Sequence, residues 1–127
     1  MIAVDASVLI AHLDNQDAHH DKALALLLGA AEDELCASPI TLAEVLVGPA
    51  HAGRLSEATA ILRALCVREV TLGTDAAMRL ATLRAETGLK LPDCCVLLAA
   101  ADAPARAVAT FDERLAHAVR RAGMRVL

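Results

Sequence analysis

Four acidic residues stand where the apolar pattern of the chain turns from a strand into a helix, or on the inner side of a predicted helix: Asp5, Glu44, Asp93 and Asp112. Asp5 and Asp112 each follow a strand-like segment, and α/β proteins bind ligands in the crevice beyond the carboxyl ends of parallel strands. Glu44 and Asp93 lie on helices that must cover the sheet, on the side of their apolar neighbours. We therefore expect the four carboxylates to converge.

A cluster of unpaired carboxylates repels itself, so it requires either protons or a cation. A donor set made only of oxygen favours Mg²⁺ or Mn²⁺, which keep several waters and bind phosphate oxygens. The His and Cys residues show no zinc-binding spacing. The predicted chemistry is phosphodiester hydrolysis, in which the metal lowers the pKa of a bound water and offsets charge on the leaving oxygen.

Two of the acids also have a simpler structural explanation. Asp5 is a suitable N-cap for a helix that begins at Ser7. Asp93, directly after Pro92, would complement the dipole of the helix that this proline begins. Either acid, taken singly, leaves the structural and the functional interpretation open.

The other two acids fit capping boxes. Thr41 and Glu44 have the spacing of one box. Ser38, which precedes a proline, is however the better start for this helix, and a helix that begins there places Glu44 too far inside it to cap its end. Thr110 and the residues after it fit a second box, with Asp112 as an acid of the first turn. The joint occurrence of four such acids, far apart in the chain, favours a shared site.

The periodicity of the chain predicts an α/β fold in which a parallel sheet lies between helices. Strands are predicted at residues 1–4, 34–37, 66–70, 106–109 and 124–127. Helices are predicted at residues 7–13, 18–28, 40–47, 55–65, 74–86, 92–101 and 112–121. Gly48 and Pro49 are expected to end the third helix, and the helix that Pro92 begins is apolar on every side over residues 94–101, which predicts a buried central position.

The 127 residues suit a single domain over residues 1–127, and an apolar fraction of 57% excludes a disordered chain. The longest apolar run, residues 23–31, is too short for a membrane span, and the first residues lack the basic start of a signal peptide. We expect a soluble, cytoplasmic protein. The four cysteines show no Cys-x-x-Cys spacing, which predicts buried, reduced thiols.

The charge is unevenly distributed. One base and eight acids give residues 1–50 a charge of -7, whereas eleven bases and eight acids give residues 51–127 a charge of +3, so the net charge is -4. Ten of the twelve bases are Arg, whose planar donors suit phosphate. An acidic part beside an Arg-rich part is compatible with an anionic polymer held near a metal site.

Four segments in order resemble the motifs of PIN-domain ribonucleases, in particular the VapC-like toxins of bacterial toxin-antitoxin pairs: residues 1–10, 38–45, 89–101 and 109–115. This resemblance covers essentially the whole chain and implies a three-layer α/β/α fold with a central parallel sheet. It implies a Mg²⁺- or Mn²⁺-dependent endoribonuclease with Asp5 and Asp93 as the principal metal ligands, and with Glu44 and Asp112 completing the acidic set.

The resemblance further implies that Ser7 and Thr110 are supporting hydroxyls. It implies a homodimer and a tight complex with a small antitoxin whose tail enters the acidic groove. The chain departs from a common pattern at Cys94 and Cys95, where small or aliphatic residues often follow the third acid. We interpret both cysteines as packing residues.

Other classes fit less well. A receiver domain is expected to have adjacent acids after its first strand, and a haloacid-dehalogenase-like phosphatase needs Asp-x-Asp, but position 7 is Ser. The alternative that stays open is a PIN-fold binding module with little turnover that acts through a protein partner. Cleavage of RNA that is lost in an Asp5→Asn variant would separate the enzyme from this module.

The aromatic content constrains the substrate. Phe111 is the one residue among Phe, Trp and Tyr in the chain, and we expect it near the core. The chain therefore lacks the stacking surfaces that are typical of proteins that bind single strands. We therefore expect recognition of a structured transfer, ribosomal or messenger RNA by backbone and shape, through Arg residues of the second half. The pair His19 and His20 is interpreted as a solvated helix start, and His12 as isolated.

Overall fold

Five short strands form one parallel sheet in the computed structural model, which describes residues 1–127. They are β1 (Ile2–Val4), β2 (Leu35–Ala37), β3 (Arg68–Glu69), β4 (Ala107–Ala109) and β5 (Arg125–Val126). Their order is β3-β2-β1-β4-β5, and every neighbouring pair is parallel. The strand order reverses between β1 and β4, and such a switch point leaves a crevice at the carboxyl edge of the sheet.

Seven helices cover the sheet: α1 (Ala6–Leu13), α2 (His20–Gly29), α3 (Pro39–His51), α4 (Leu55–Ala64), α5 (Ala76–Thr87), α6 (Leu91–Asp102) and α7 (Glu113–Arg121). Apolar residues of α1 to α4 pack with one face of the sheet, and those of α5 to α7 with the other. The predicted α/β/α arrangement around a parallel sheet is therefore confirmed.

Strand β1 shows how the sequence builds both layers. The side chains of Ile2 and Val4 pack in the layer of α1 to α4, whereas Ala3 packs in the layer of α5 to α7, as the alternation of a strand requires. Helix α6 is buried from Cys94 to Ala100, which confirms the prediction of a central helix. Its small side chains allow the helix to lie close to the sheet.

Helix α3 is longer than predicted. Gly48 and Pro49 do not end it, because the helix continues to His51 with Pro49 inside it. The ring of a proline clashes with the Cβ of the residue before it, and Gly48 has none. A proline in the last turn also sacrifices only one hydrogen-bond donor near an end where the helix stops in any case.

The cysteine prediction is only partly right. All four thiols are free, and Cys36, Cys94 and Cys95 are buried, but Cys66 is exposed at the turn after α4. None of the helices is long and apolar enough to cross a membrane.

Candidate metal centre

Asp5 lies at the switch point of the sheet. It directly follows β1, and its backbone N–H donates to the carbonyl of Ala109 at the end of β4 (2.9 Å). The residue is only 6% exposed. It is also the N-cap of α1, because its carboxylate accepts a bond from the backbone N–H of Ser7. The structural explanation of Asp5 is thus correct, and it coexists with a place at the crevice.

Two hydroxyl groups fix the Asp5 carboxylate. Oδ2 of Asp5 accepts from Oγ of Ser7 (2.6 Å) and from Oγ1 of Thr110 (2.8 Å). Oγ of Ser7 in turn accepts from the backbone N–H of Phe111 (3.0 Å). All of the donors reach Oδ2, and Oδ1 accepts no hydrogen bond from the protein. One oxygen is therefore used for orientation and the other stays free for a ligand.

Glu44 lies in the middle of α3. The helix begins at Ser38, whose Oγ accepts from the backbone N–H of Thr41 (3.0 Å), so the capping-box interpretation of Thr41 and Glu44 is wrong. The Glu44 carboxylate forms no hydrogen bond within the protein. Partial burial, and then the charges of Asp5 and Asp93, raise its pKa.

Asp93 is in the first turn of α6, where it also suits the helix dipole. Its carboxylate accepts no hydrogen bond. Its pKa is raised by burial first, then by the charges of Asp112 and Asp5, while Lys90 and Arg114 act in the opposite direction. Asp93 therefore lies within electrostatic reach of acids from two other elements and of two cations.

Asp112 is the N-cap of α7, because its Oδ1 accepts from the backbone N–H of Leu115 (2.9 Å). The expected box that begins at Thr110 is wrong, since the Thr110 hydroxyl is bonded to Asp5 and accepts from the backbone N–H of Asp112 (3.0 Å). Oδ2 of Asp112 accepts no hydrogen bond. This acid thus both caps a helix and keeps one oxygen free.

The four acids repel one another without forming a finished coordination cage. None of them enters an ion pair. As their side chains lie, no group of three or more His, Cys, Asp or Glu residues could hold a metal ion. The free oxygens and the raised pKa values fit a hard, oxygen-binding cation.

Two aromatic contacts were not predicted. The ring of His19 stacks on Phe111, with ring centroids 5.0 Å apart and planes at 23°. His12 is not isolated, because its ring stacks with that of His20 (6.4 Å). Nδ1 of His12 is buried without a partner, and burial and the His20 charge lower the pKa of His12. No periodicity in the sequence indicates these contacts, since each joins separate elements.

The sequence matches the profile of the PIN domain over residues 2–121. The chain therefore belongs to the PIN domain family. A comparison with curated proteins gives no match.

Within that family, the fold is that of VapC proteins. The VapC20 toxin of Mycobacterium tuberculosis, described as cleaving the sarcin-ricin loop, superposes with a TM-score of 0.77 at 19% identity, over 93% of this chain and 95% of that chain. A toxin-antitoxin complex from Klebsiella pneumoniae gives a TM-score of 0.76 at 24% identity, over 100% and 96%. VapBC2 of Rickettsia felis, bound to a fragment of its promoter DNA, gives 0.71 at 14% identity, over 100% and 98%.

Proposed function

We propose that the chain is a Mg²⁺- or Mn²⁺-dependent endoribonuclease, the toxin of a toxin-antitoxin pair, that hydrolyses phosphodiester bonds in structured cellular RNA. The observation that carries the proposal is the environment of Asp5. Its carboxylate is buried at the switch point, where two hydroxyls hold Oδ2 and Oδ1 stays free. The charge of Asp5 also helps to raise the pKa of Glu44 and of Asp93. PIN-domain membership and the VapC fold agree with it.

The ligands of the cation are assigned to the free oxygens of Asp5, Asp93, Glu44 and Asp112. A divalent ion bound there supplies a water of lowered pKa and neutralises charge on the phosphate. Ser7 and Thr110 hold the Asp5 carboxylate in one orientation through Oδ2, which leaves Oδ1 free and would let it hold the ion. Glu44 and Asp112 are exposed, and their free oxygens would supply the remaining donors.

The Arg residues proposed to contact RNA are those whose guanidinium groups are not already bonded within the protein. Five of the ten donate to acceptors within the protein: Arg54, Arg68, Arg79, Arg84 and Arg106. Among the five others, Arg114 is the one that acts electrostatically on Asp93, together with Lys90. Both cations are exposed and unpaired. We assign them to the phosphates that flank the cleaved bond.

The antitoxin is assigned to a cleft of about 450 Å³ between α1, α3 and α4. Glu44 lies on its wall, and Ile10 and Ile61 supply exposed apolar surface. An amphipathic segment of the partner would cover the apolar surface, and a basic tail would reach the acids through Glu44. The proteins of similar fold include toxin-antitoxin complexes, which supports this assignment. The homodimer and the cytoplasmic location remain part of the proposal.

The test is incubation of the purified protein with total cellular RNA, followed by mapping of the new ends. We expect discrete cuts with Mg²⁺ or Mn²⁺ and none in EDTA. Asp93→Asn and Asp5→Asn should both reduce cleavage to the level of the EDTA sample. Glu32→Gln, which changes an exposed acid in the turn before β2, at the opposite end of the strands, is the matched control and should cleave as the wild type does.

The same experiment decides against the enzyme if cuts persist in EDTA or in the Asp93→Asn variant, because a contaminating nuclease would then be the source. If no RNA is cut under any condition while an antitoxin still binds, the alternative of a PIN-fold binding module with little turnover is the correct one.

A further inference from the structure

A half-exposed aromatic stack borders the candidate metal centre. The ring of His19 lies on that of Phe111 (5.0 Å, 23°), and 50% of the His19 side chain is exposed. One ring face therefore lies against Phe111, while half of the side chain is accessible to solvent. A flat ring supported on one side and accessible on the other is suited to stacking.

Contacts within the protein fix the backbone at both rings and restrict the His19 ring between Phe111 and Asp17. The backbone N–H of His19 donates to Oδ1 of Asp17 (2.8 Å), and Nδ1 of its ring lies 3.8 Å from the same oxygen. Phe111 is tied through its backbone N–H to Oγ of Ser7 (3.0 Å) and packs against the core of α1 to α4. A side chain that is already ordered loses little conformational entropy on binding.

The position of the stack relates it to the acids. Phe111 stands in the chain between Thr110, whose hydroxyl holds Asp5, and Asp112, which acts electrostatically on Asp93. The stack therefore borders the acids on the side of α1 and α2. The free cations Lys90 and Arg114 belong to the other layer, at the beginnings of α6 and α7. A nucleotide bound at the acids would have cations for its phosphate on one side and the aromatic stack on the other.

We propose that His19, supported by Phe111, is a stacking platform for one unpaired nucleobase next to the cleaved phosphate. This inference rests on the proposed function, since it places an RNA at the four acids. Proteins that read RNA by sequence take unpaired bases of loops and stack them on aromatic rings, His included. It differs from the expectation that the chain lacks such a surface, and it would restrict the substrate to structured RNA with an unpaired base at the cut.

The first test measures RNA binding without cleavage. In the Asp93→Asn background and without divalent metal, the affinity for a labelled RNA hairpin with an unpaired loop is measured by fluorescence anisotropy. His19→Ala should lower the affinity about 5- to 150-fold, the range of one stacked base, and His19→Phe should restore it. His51→Ala, an exposed histidine at the end of α3, is the matched control and should bind as the parent does.

The second test reports the stack directly. The chain has no Trp, so His19→Trp in the same background introduces a single fluorophore. Its emission should be quenched by the hairpin and much less by the same hairpin with abasic loop positions. The emission of His51→Trp should change with neither RNA.

The proposal is overturned if the parent does not bind the hairpin, if His19→Ala binds as tightly as the parent, or if the abasic hairpin quenches His19→Trp as strongly as the intact one. The proposed nuclease activity fails separately: wild-type protein that binds the loop through His19 but cuts no RNA with Mg²⁺ or Mn²⁺ would refute the nuclease and leave the platform in place.

Discussion

The hydroxyl of Thr110 connects two of the candidate metal ligands. It donates to Oδ2 of Asp5 (2.8 Å) and accepts from the backbone N–H of Asp112 (3.0 Å). Thr110→Val keeps the shape of the side chain and removes both bonds. We expect the apparent affinity for Mg²⁺ to fall about 10- to 100-fold, because Asp5 loses a partner that orients it. The free energy of unfolding should fall by about 1–3 kcal/mol.

Cleavage rates over a Mg²⁺ titration and urea unfolding measure the two effects of Thr110→Val. Thr110→Ser retains the hydroxyl and should recover most of the Mg²⁺ affinity. A Val variant that is less stable but has the Mg²⁺ dependence of the wild type would show that Thr110 supports only the fold.

Arg114 is predicted to bind a phosphate and not to support the fold. It is exposed on the first turn of α7 and forms no hydrogen bond or ion pair in the protein. Arg114→Gln should raise KM for RNA with little change in stability. The slope of log affinity against log salt should become shallower by about 0.7–0.9, the value for one phosphate contact. Arg120→Gln changes an exposed, unpaired Arg on the same helix and is the control; an equal effect of both variants would contradict a specific contact.

At the scale of elements, the sequence pattern predicted every helix and strand, but with errors where several forces compete. The prediction of α6 succeeded because seven consecutive buried residues leave no polar face. The predicted end of α3 was wrong because Gly48 and Pro49 each favour a stop, whereas Gly48 has no Cβ to clash with the Pro49 ring and the proline falls in the last turn, where little of the helix remains to be disrupted. The four acids were singled out because each stands at a helix start or deep in a helix, and their role as a site stays a prediction. The His19 stack on Phe111 was missed because only the fold brings these residues together.

The explanation of α3 predicts opposite signs for two similar substitutions. Gly29 and Gly48 are both helical, and a Cβ at either position meets no atom within 4 Å other than those of its own chain neighbours, which for Gly48 include Pro49. Gly29→Ala should stabilise the protein by about 0.4–1 kcal/mol, because Ala loses less backbone entropy on folding. Gly48→Ala should destabilise it, because the new Cβ clashes with the ring of Pro49. Urea unfolding of both variants gives the comparison, and a stabilising Gly48→Ala would refute this account of the helix.

At the scale of the whole molecule, the raised pKa values of two acids predict a cost on folding that a bound cation would remove. Residues 1–50 carry a charge of -7, from eight acids and one base, and the carboxyl edge of the sheet brings Asp5 and Glu44 of this half towards Asp93. The pKa values of Glu44 and Asp93 are raised above 4.5 and 3.8, their ordinary values. Between the ordinary and the raised pKa, the folded state binds more protons than the unfolded state, so stability falls as pH rises through that interval and stays lower at neutral pH.

Asp93→Asn should therefore stabilise the metal-free protein at neutral pH and flatten the fall of stability above pH 4. Glu32→Gln, at an exposed acid outside the helices, should change neither. Mg²⁺ should raise the Tm of the wild type, because at a concentration of 100 times Kd it adds about 2.7 kcal/mol to the free energy of unfolding. The Tm of Asp93→Asn should hardly change with Mg²⁺. Thermal unfolding in EDTA and over a Mg²⁺ series, at pH 4 and pH 7, measures both effects. If Asp93→Asn is instead less stable than the wild type in EDTA, the carboxylate serves the dipole of α6, and the repulsion among the acids is too weak to require a metal.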